Sequence, residues 1–517
     1  MNSTTTTTKA RTTTTIPIPI PMPPRLPVLG HLPWLLRPAG PMAWFAVLAK
    51  RYREAGIFQI TTPSKLDPIF VVNVDVAAEL FDEKRFEKVI DGPLLRIKRF
   101  AGDGLFTAGN DDDNWHTAHR LLTPGFARGA MDRYFPMMRS TLQELVESWG
   151  RADDDDRAVD VTADMTRLTL ETISRCGFDH DFGSFDRSRD DGELDPFLQA
   201  LARCMSEAVT GVHRPARLAP LFKKKEAQFT ADIEEMFVLV DDVIAKRKTL
   251  PRDQWPQDFL SLMLEPDSSS NTWRADTSLN SGARLDAENV RFQILTFLIA
   301  GHETTSGLLA FALHRIASDK ALLKALRAEI DAAFGDREPT RDDVWGLQLL
   351  MRVINEAMRL WPTVPVFGVT PKQDEVIAGR FAIRAGTPLK VLVVGLHTDP
   401  AVWPDPLRAE IDRFLPDEVA KRPAAAFKPF GNGKRACIGR QFALLETALA
   451  LAILVRDFDF DTPAPLNVAA TTSPKPKDFT VRVRTRVTSS ATAKALDTTT
   501  MKTAARGGCP FQHAQAT

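Results

Sequence analysis

Apolar positions recur along this chain with two periods, and the helical one dominates. Residues 41–53 carry apolar side chains three and four apart, which predicts a helix. Ile57-Phe58-Gln59-Ile60 and Ile69-Phe70-Val71-Val72 predict two short strands around a turn containing Pro63 and Ser64. Residues 86–106 read as a basic, loop-rich stretch ending in Ala101-Gly102-Asp103-Gly104-Leu105-Phe106. Helical spacing returns over 114–126 and 131–149, and Trp149-Gly150 with the acidic residues 153–156 predicts a break. It then holds over residues 164–248, after which the polar, Pro- and Ser-rich residues 251–283 predict a surface excursion.

Asp286 is a suitable N-cap for a long apolar helix reaching Ser318. Two more helices follow, the second stopped at Leu360 by Trp361-Pro362. Residues 376–394 alternate as short strands, 389–394 most clearly, and 479–484 predict a late strand. From Ser489 onward a Ser/Thr/Ala-rich tail shows no core pattern. The pattern as a whole predicts a mainly α fold with a small β region.

Composition narrows the class. With 517 residues, 44% hydrophobic and 26% charged, the chain can bury a large core. Lys+Arg and Asp+Glu number 66 each, so no net field recruits nucleic acid or anionic membrane. Cys176, Cys204, Cys437 and Cys509 lie far apart, which argues against a disulfide framework or zinc site and fits a reducing, cytoplasmic interior. Residues 1–24, a Thr run followed by Ile-Pro repeats, lack the apolar core of a signal peptide or membrane anchor and predict a disordered tail. Residues 294–313 are long and apolar, but His302 and Glu303 at the centre would be costly in lipid, so a buried core helix is expected.

The chemistry concentrates in Phe430-Gly431-Asn432-Gly433-Lys434-Arg435-Ala436-Cys437-Ile438-Gly439. One cysteine stands between glycines and basic residues just before a helical run, where cations and a helix N-terminus would lower its pKa. A lone cysteine in a turn is usually structural. Five fixed positions together, Phe430, Gly433, Arg435, Cys437 and Gly439, resemble the haem-binding loop of the cytochrome P450 superfamily. That resemblance implies haem b as cofactor and the Cys437 thiolate as axial iron ligand.

Further segments carry the same resemblance. Ala300-Gly301-His302-Glu303-Thr304-Thr305 places an acid and hydroxyls inside an apolar run, against local propensity. It lacks the second His of a zinc H-E-x-x-H motif, where Ser306 stands. It is similar to the family's oxygen-activation motif, which implies a kinked helix, Glu303 and Thr304 as proton relay, and Ala300 and Gly301 as pocket lining. Glu356-Ala357-Met358-Arg359 is similar to the family's structural E-x-x-R, with Arg413 as third member although Ile411 replaces the usual proline. Trp115 and His119 resemble the segment that holds the haem propionates, with His119 where the family usually has Arg; Lys88 and Arg435 are further cationic partners.

Phe100–Thr107, Asp164–Leu170 and Ile299–Leu309 look like bacterial self-sufficient fatty-acid hydroxylases, whose haem domain is fused to a diflavin reductase. The implied domains are a tail (1–24), a monooxygenase domain (25–487) and a flexible tail or linker (488–517), either stand-alone or cut from a fusion. The implied reaction is O2-dependent hydroxylation of a medium- or long-chain fatty acid at subterminal carbons. Electrons would come from NADPH through an FAD/FMN reductase, with no membrane anchor and no nucleic acid. By the same resemblance Phe106 and Val364 wall the substrate site, and Lys65 meets the carboxylate. The alternatives are a peroxide-driven peroxygenase, against which the intact Glu303-Thr304 pair argues, a P450 acting on another hydrophobic molecule, and a haem sensor without turnover.

Overall fold

The computed structural model describes residues 18–35, 40–62, 67–186, 195–212, 214, 216–264, 284–469 and 473–486. The turn with Pro63 and Ser64, Lys65 and the tail from Ser489 lie outside the described residues.

The helix Ala287–Ala317 runs through the middle of the fold. Asp286 starts it, its side chain accepting the Asn289 N–H at 2.7 Å and so satisfying a donor that a helix start leaves open. Apolar around its circumference, the helix has to be covered on all sides. The helices Val161–Phe178, Arg440–Asp457 and Gln348–Leu360 pack against it. Its length and hydropathy meet the requirement of a membrane span, but its most apolar window is 78% buried inside the fold. A Cβ at Gly301 would lie 2.8 Å from Ile173 Cγ1, so a larger residue there would force the long helix away from Val161–Phe178.

A five-stranded sheet flanks this helical body in the order Ile57–Gln59, Ile69–Val71, Leu389–Leu392, Val366–Pro371, Phe86–Lys88. Ile69–Val71 pairs parallel with Leu389–Leu392, opposing Phe70 to Lys390, and the edge strand sets Lys88 opposite Val369. A second sheet joins Ala158–Asp160, Thr480–Thr485 and Phe458–Phe460.

Several elements depart from the sequence pattern. Residues 86–106 contain the strand Phe86–Lys88 and a helix, Pro93–Ala101, whose Ile97, Phe100 and Ala101 are buried while Arg96 and Lys98 are half-buried and Arg99 is exposed. The helix Met131–Asp154 runs through Gly150, held by Trp149, which is fully buried and donates its indole N–H to Asp164 Oδ2 at 2.8 Å. The helical stretch after residue 160 divides into Val161–Phe178, Pro196–Gly211 and Lys223–Thr249. Within the supposed surface excursion, Phe259–Leu264 is a buried helix anchored by the Arg247–Asp258 ion pair, and residues 265–283 lie outside the described residues. Three helices, not two, lie between Asp319 and Trp361, the extra one (Arg341–Gly346) opened by a Thr340–Asp343 capping box. Val366–Pro371 is an additional strand, and Val393–His397 turns helical where strand was expected.

Beside the sheet, Glu356 and Arg359 form a buried pair with Nη2–Oε1 at 2.6 Å and Nε–Oε2 at 2.7 Å. Arg359 also donates to the carbonyls of His397, Pro406 and Arg408, and Glu356 Oε1 accepts the Glu410 N–H at 2.7 Å. Arg413, in a 3₁₀ turn over Ile411–Phe414, lies with Nε 3.9 Å from Glu356 Oε1. Removing one partner strands a buried charge, so Arg359→Ala is expected to cost about 3–5 kcal/mol or to prevent folding. Lys246→Ala, from an exposed pair with Asp242, is expected to stay within about 0.5 kcal/mol of the parent. Denaturant titrations of the two variants check this, and comparable stability losses would refute it.

Candidate functional site

The loop at residues 430–439 is shaped by backbone bonds before any side chain takes part. Cys437 N–H donates to Phe430 O at 2.9 Å, closing the loop, and Ala436 N–H to Gly433 O at 3.0 Å, closing a tight turn inside it. Gly431 and Gly433 sit at φ +74° and +65°, where a side chain would be strained. Gly439 adopts φ −80° and caps the helix Arg440–Asp457. Lys434 N–H donates to Glu83 Oε1 at 2.6 Å, and Asn432 donates its side-chain amide to Phe81 O at 3.3 Å. The Lys428 N–H donates to His397 Nε2 at 3.1 Å, leaving Nδ1 to donate to Arg359 O at 3.2 Å. Burial pushes His397 down to about 3, so its ring is neutral and accepts at Nε2.

Cys437 is accessible, yet burial is the main influence on its thiol. Together these facts place it in a recess of the fold rather than on the outer surface. Its pKa is raised, against the expectation of a lowered one: desolvation outweighs the Gly439 N–H and the Arg440 charge.

Several other residues are open in an otherwise buried setting. On the long helix Ala300 is exposed and Gly301, Glu303 and Thr304 are half-buried, although their neighbours on both sides are covered. Phe106 and Val364 are 36% and 44% exposed. The loop leading to Phe106 is tied to the same helix: Leu105 N–H donates to Gln293 Oε1 at 3.0 Å, and Asn289 Nδ2 to Asp103 O at 3.1 Å. Lys88 Nζ donates to Phe106 O at 2.5 Å and stands 5.0 Å from the centre of its ring. Arg435 donates to the carbonyls of Ala108 and Gly109 and packs 4.4 Å from the centre of the Trp115 ring, on which His119 stacks at 4.8 Å. These contacts bring Phe106, Lys88, Arg435, Trp115 and His119 to one side of the Cys437 loop. Phe430 packs at the edge of the core beneath the loop.

The electrostatics of that side call for an anion. Arg435 Nε and Nη1 are buried without a hydrogen-bond partner among the described residues. Desolvation pushes Arg435 down to about 10, and desolvation with the Arg435 charge pushes Lys88 down to about 7. Burial and Arg435 also lower His119, so it offers no positive charge there. A flat group with an acidic edge would satisfy the orphaned guanidinium while presenting its centre to the accessible thiol, and a haem has that chemistry.

On the long helix, Thr304 Oγ1 donates to Ala300 O at 2.9 Å, and the helix remains continuous through this turn. Glu303 meets Lys475 (Nζ–Oε2 3.5 Å) and His302 (Nε2–Oε1 3.3 Å). Although burial alone would raise it, Lys475 first and then His302 hold the Glu303 carboxyl down to about 2. Lys475 had no signal in the sequence, since 172 residues of chain separate it from its partner.

A carboxyl with a lowered folded-state pKa contributes stability that is present above its unfolded value near 4.5 and lost as pH falls toward about 2. The parent is therefore expected to lose up to about 3 kcal/mol more than Glu303→Gln over that acid range. Denaturation midpoints against pH measure the difference, and parallel curves would refute it.

Comparison with known proteins agrees with this geometry. The cytochrome P450 family model matches residues 20–481. The chain is 42% identical over 427 residues to a bifunctional cytochrome P450/NADPH–P450 reductase of Bacillus cereus, covering 81% of this chain and 38% of that protein. It is 40% identical over 425 residues to such an enzyme of Bacillus subtilis, again covering 81% and 38%. The chain thus spans less than half the length of these relatives. The crystal structure of the cytochrome P450DA haem domain superposes with a TM-score of 0.82 at 42% identity, covering 91% of this chain and 99% of that one. With its mainly helical fold, its cysteine loop and a recess suited to haem, the chain belongs to the cytochrome P450 family of haem monooxygenases.

Proposed function

We propose that this protein hydroxylates medium- or long-chain fatty acids at subterminal carbons, using O2 and electrons delivered from NADPH by a diflavin reductase. The observation that carries the reading is the accessible Cys437 thiol in the same loop as Arg435, whose guanidinium keeps two buried donors without a partner among the described residues. In this reading the catalytic domain spans residues 25–487 and acts in the cytoplasm.

Cys437 would ligate the haem iron, with Phe430, Gly433 and Gly439 shaping the loop that presents it. Arg435, Lys88 and Trp115 would hold the propionate edge, with His119 as a neutral stacking partner. Once bound, the haem supplies the redox chemistry for splitting O2. The chain supplies everything around it. Ala300 leaves room beside the long helix, whereas Gly301, expected in the pocket lining, is taken up by the close approach of Ile173, and Phe106 and Val364 would narrow the substrate cavity with apolar surface that excludes water. Thr304 and Glu303 carry protons at Oγ1 and the carboxylate. Lys65 would meet the substrate carboxylate as a point charge without the bidentate fork of Arg, giving a weak, salt-sensitive anchor.

Cys437→Ala is expected to lose the far-shifted Soret band of the reduced carbon monoxide complex, while Cys176→Ala, Cys204→Ala and Cys509→Ala retain it. A parent-like spectrum from Cys437→Ala would end the assignment.

Substrate and position are tested with a panel of fatty acids, reading product regiochemistry by mass spectrometry. A rigid ring at Phe106 would keep the terminal methyl from the reacting centre and leave carbons a few positions inward accessible. Phe106→Ala is expected to shift product toward other positions with little loss of stability, because the ring is not part of the sealed core. An unchanged product distribution from the folded variant would remove Phe106 from the pocket, and no turnover of any fatty acid would remove the substrate class.

A further inference from the structure

Ser473, Pro474 and Lys475 meet the long helix at the turn that carries Glu303 and one turn beyond it. Val468–Ala469 pairs antiparallel with Lys475–Pro476. Between them and the helix, Ser473 Oγ donates to Glu303 O at 3.3 Å and to Thr363 O at 3.0 Å. A Cβ at Gly307 would lie 2.8 Å from Pro474 O, so this segment can approach only because that position is glycine. On its other side Thr162 Oγ1 donates to Pro476 O at 3.0 Å, pinning the segment to the helix Val161–Phe178.

Lys475 is thereby held with 13% of its side chain exposed. Its Nζ donates to Thr166 Oγ1 at 3.3 Å and lies 3.5 Å from Glu303 Oε2. Thr166 donates its own hydroxyl to Thr162 O at 2.8 Å, so its oxygen is fixed as an acceptor for the ammonium. A lysine enclosed to this degree is costly unless it is paired. Its charged partner here is the acid of the polar turn.

We propose that Lys475 is a positioning residue for the reaction, holding the Glu303 carboxylate ionised and oriented beside Thr304 between proton transfers. This rests on the reading of Glu303 and Thr304 as the proton-carrying pair. The titratable groups facing Glu303 are Lys475 from the strand segment and His302 from its own helix, whose Nδ1 is directed at Leu298 O at 2.5 Å and whose Nε2 faces Glu303. Thr166 and Ser473 contribute hydroxyls only. A proton arriving from solvent binds the carboxylate and loosens its hold on Lys475. It then leaves for the Thr304 oxygen as that hydroxyl gives up its own proton to the cavity, and the carboxylate returns to the ammonium. Without Lys475, burial favours the protonated carboxyl and only His302 opposes it, so the carboxyl holds its proton to higher pH than in the parent.

The experiment uses the haem-loaded enzyme with an added diflavin reductase and compares Lys475→Met, Lys475→Arg, Glu303→Gln and the Lys475→Met/Glu303→Gln double variant. Difference infrared titration reads the Glu303 carboxyl directly. Lys475→Met is expected to gain a protonated-carboxyl band that titrates near neutrality, missing from the parent, Lys475→Arg and the double variant. Product formed per NADPH, nearly flat across neutral pH in the parent, is expected to gain a several-fold pH-dependent step in Lys475→Met, with Lys475→Arg restoring the flat profile. A purely packing role would move neither readout, so a Lys475→Met enzyme with no Glu303-dependent band and a parent-like pH profile overturns the proposal. If instead Glu303→Gln leaves product per NADPH unchanged, the proton-relay reading falls, while the infrared band still decides whether Lys475 holds the carboxylate.

Discussion

A buried guanidinium has five donors to satisfy, and Arg359 sets much of this architecture by doing so. Fully covered by the fold, it pairs with both oxygens of Glu356 and donates to the carbonyls of His397, Pro406 and Arg408. The Pro406 and Arg408 carbonyls belong to a segment with little regular structure, which the guanidinium holds in place of a hydrogen-bond ladder and ties to the end of the helix Val393–His397. The constraint then passes to the cysteine loop. The Arg359 carbonyl fixes the tautomer of His397, and His397 Nε2 takes the Lys428 N–H two residues before Phe430. A charge remote from the recess thus sets the starting point of the loop that presents Cys437.

The second constraint is that a helix apolar on every side must carry a polar turn without losing its packing. Glycine accomplishes this at two levels. Gly301 admits Ile173 of the neighbouring helix, and Gly307 admits the backbone of Pro474. The hydroxyls of Thr304 and Ser306 bond back to the carbonyls of Ala300 and Glu303, which satisfies both at the break in apolar character. A further network joins the helix Pro93–Ala101 to the pair Pro196–Gly211 and Lys223–Thr249. Arg96 bridges Glu207 and Glu226, Arg99 joins Glu226, and Arg214 clamps Glu207. These ion pairs hold the segment that leads to Phe106 against the two helices beside it.

Much of this was legible in the chain as written. The N-cap Asp286, the uninterrupted apolar run after it and the polar turn at Gly301–Thr304 specify a buried central helix by local rules alone. The cysteine loop is equally local, since its glycines, cations and following helix lie within a few residues of one another. The misread elements have separate physical causes. Residues 86–106 looked like a basic loop because the burial of Ile97 and Phe100 depends on helices far along the chain, and Phe259–Leu264 is too short to show a period. Gly150 did not end its helix because Trp149, held by Asp164, made up locally for the cost of glycine.

The sequence by itself therefore determined the family, the helical class and the cysteine that the recess is built around, because each rests on residues close together in the chain. Tertiary structure alone decided which strands pair, which cations converge and what holds each acid. Phe70 meets Lys390 and Lys88 meets Val369 across some three hundred residues, and no local pattern encodes such a register. Arg435 is left with unpartnered donors only because Trp115 and the Ala108 carbonyl close around it. Glu303 is an ionised, anchored carboxylate rather than a neutral buried acid because Lys475 arrives from a distant strand. Desolvation and Coulomb attraction act through space, so the charge state of a side chain is fixed only once the fold has chosen its neighbours.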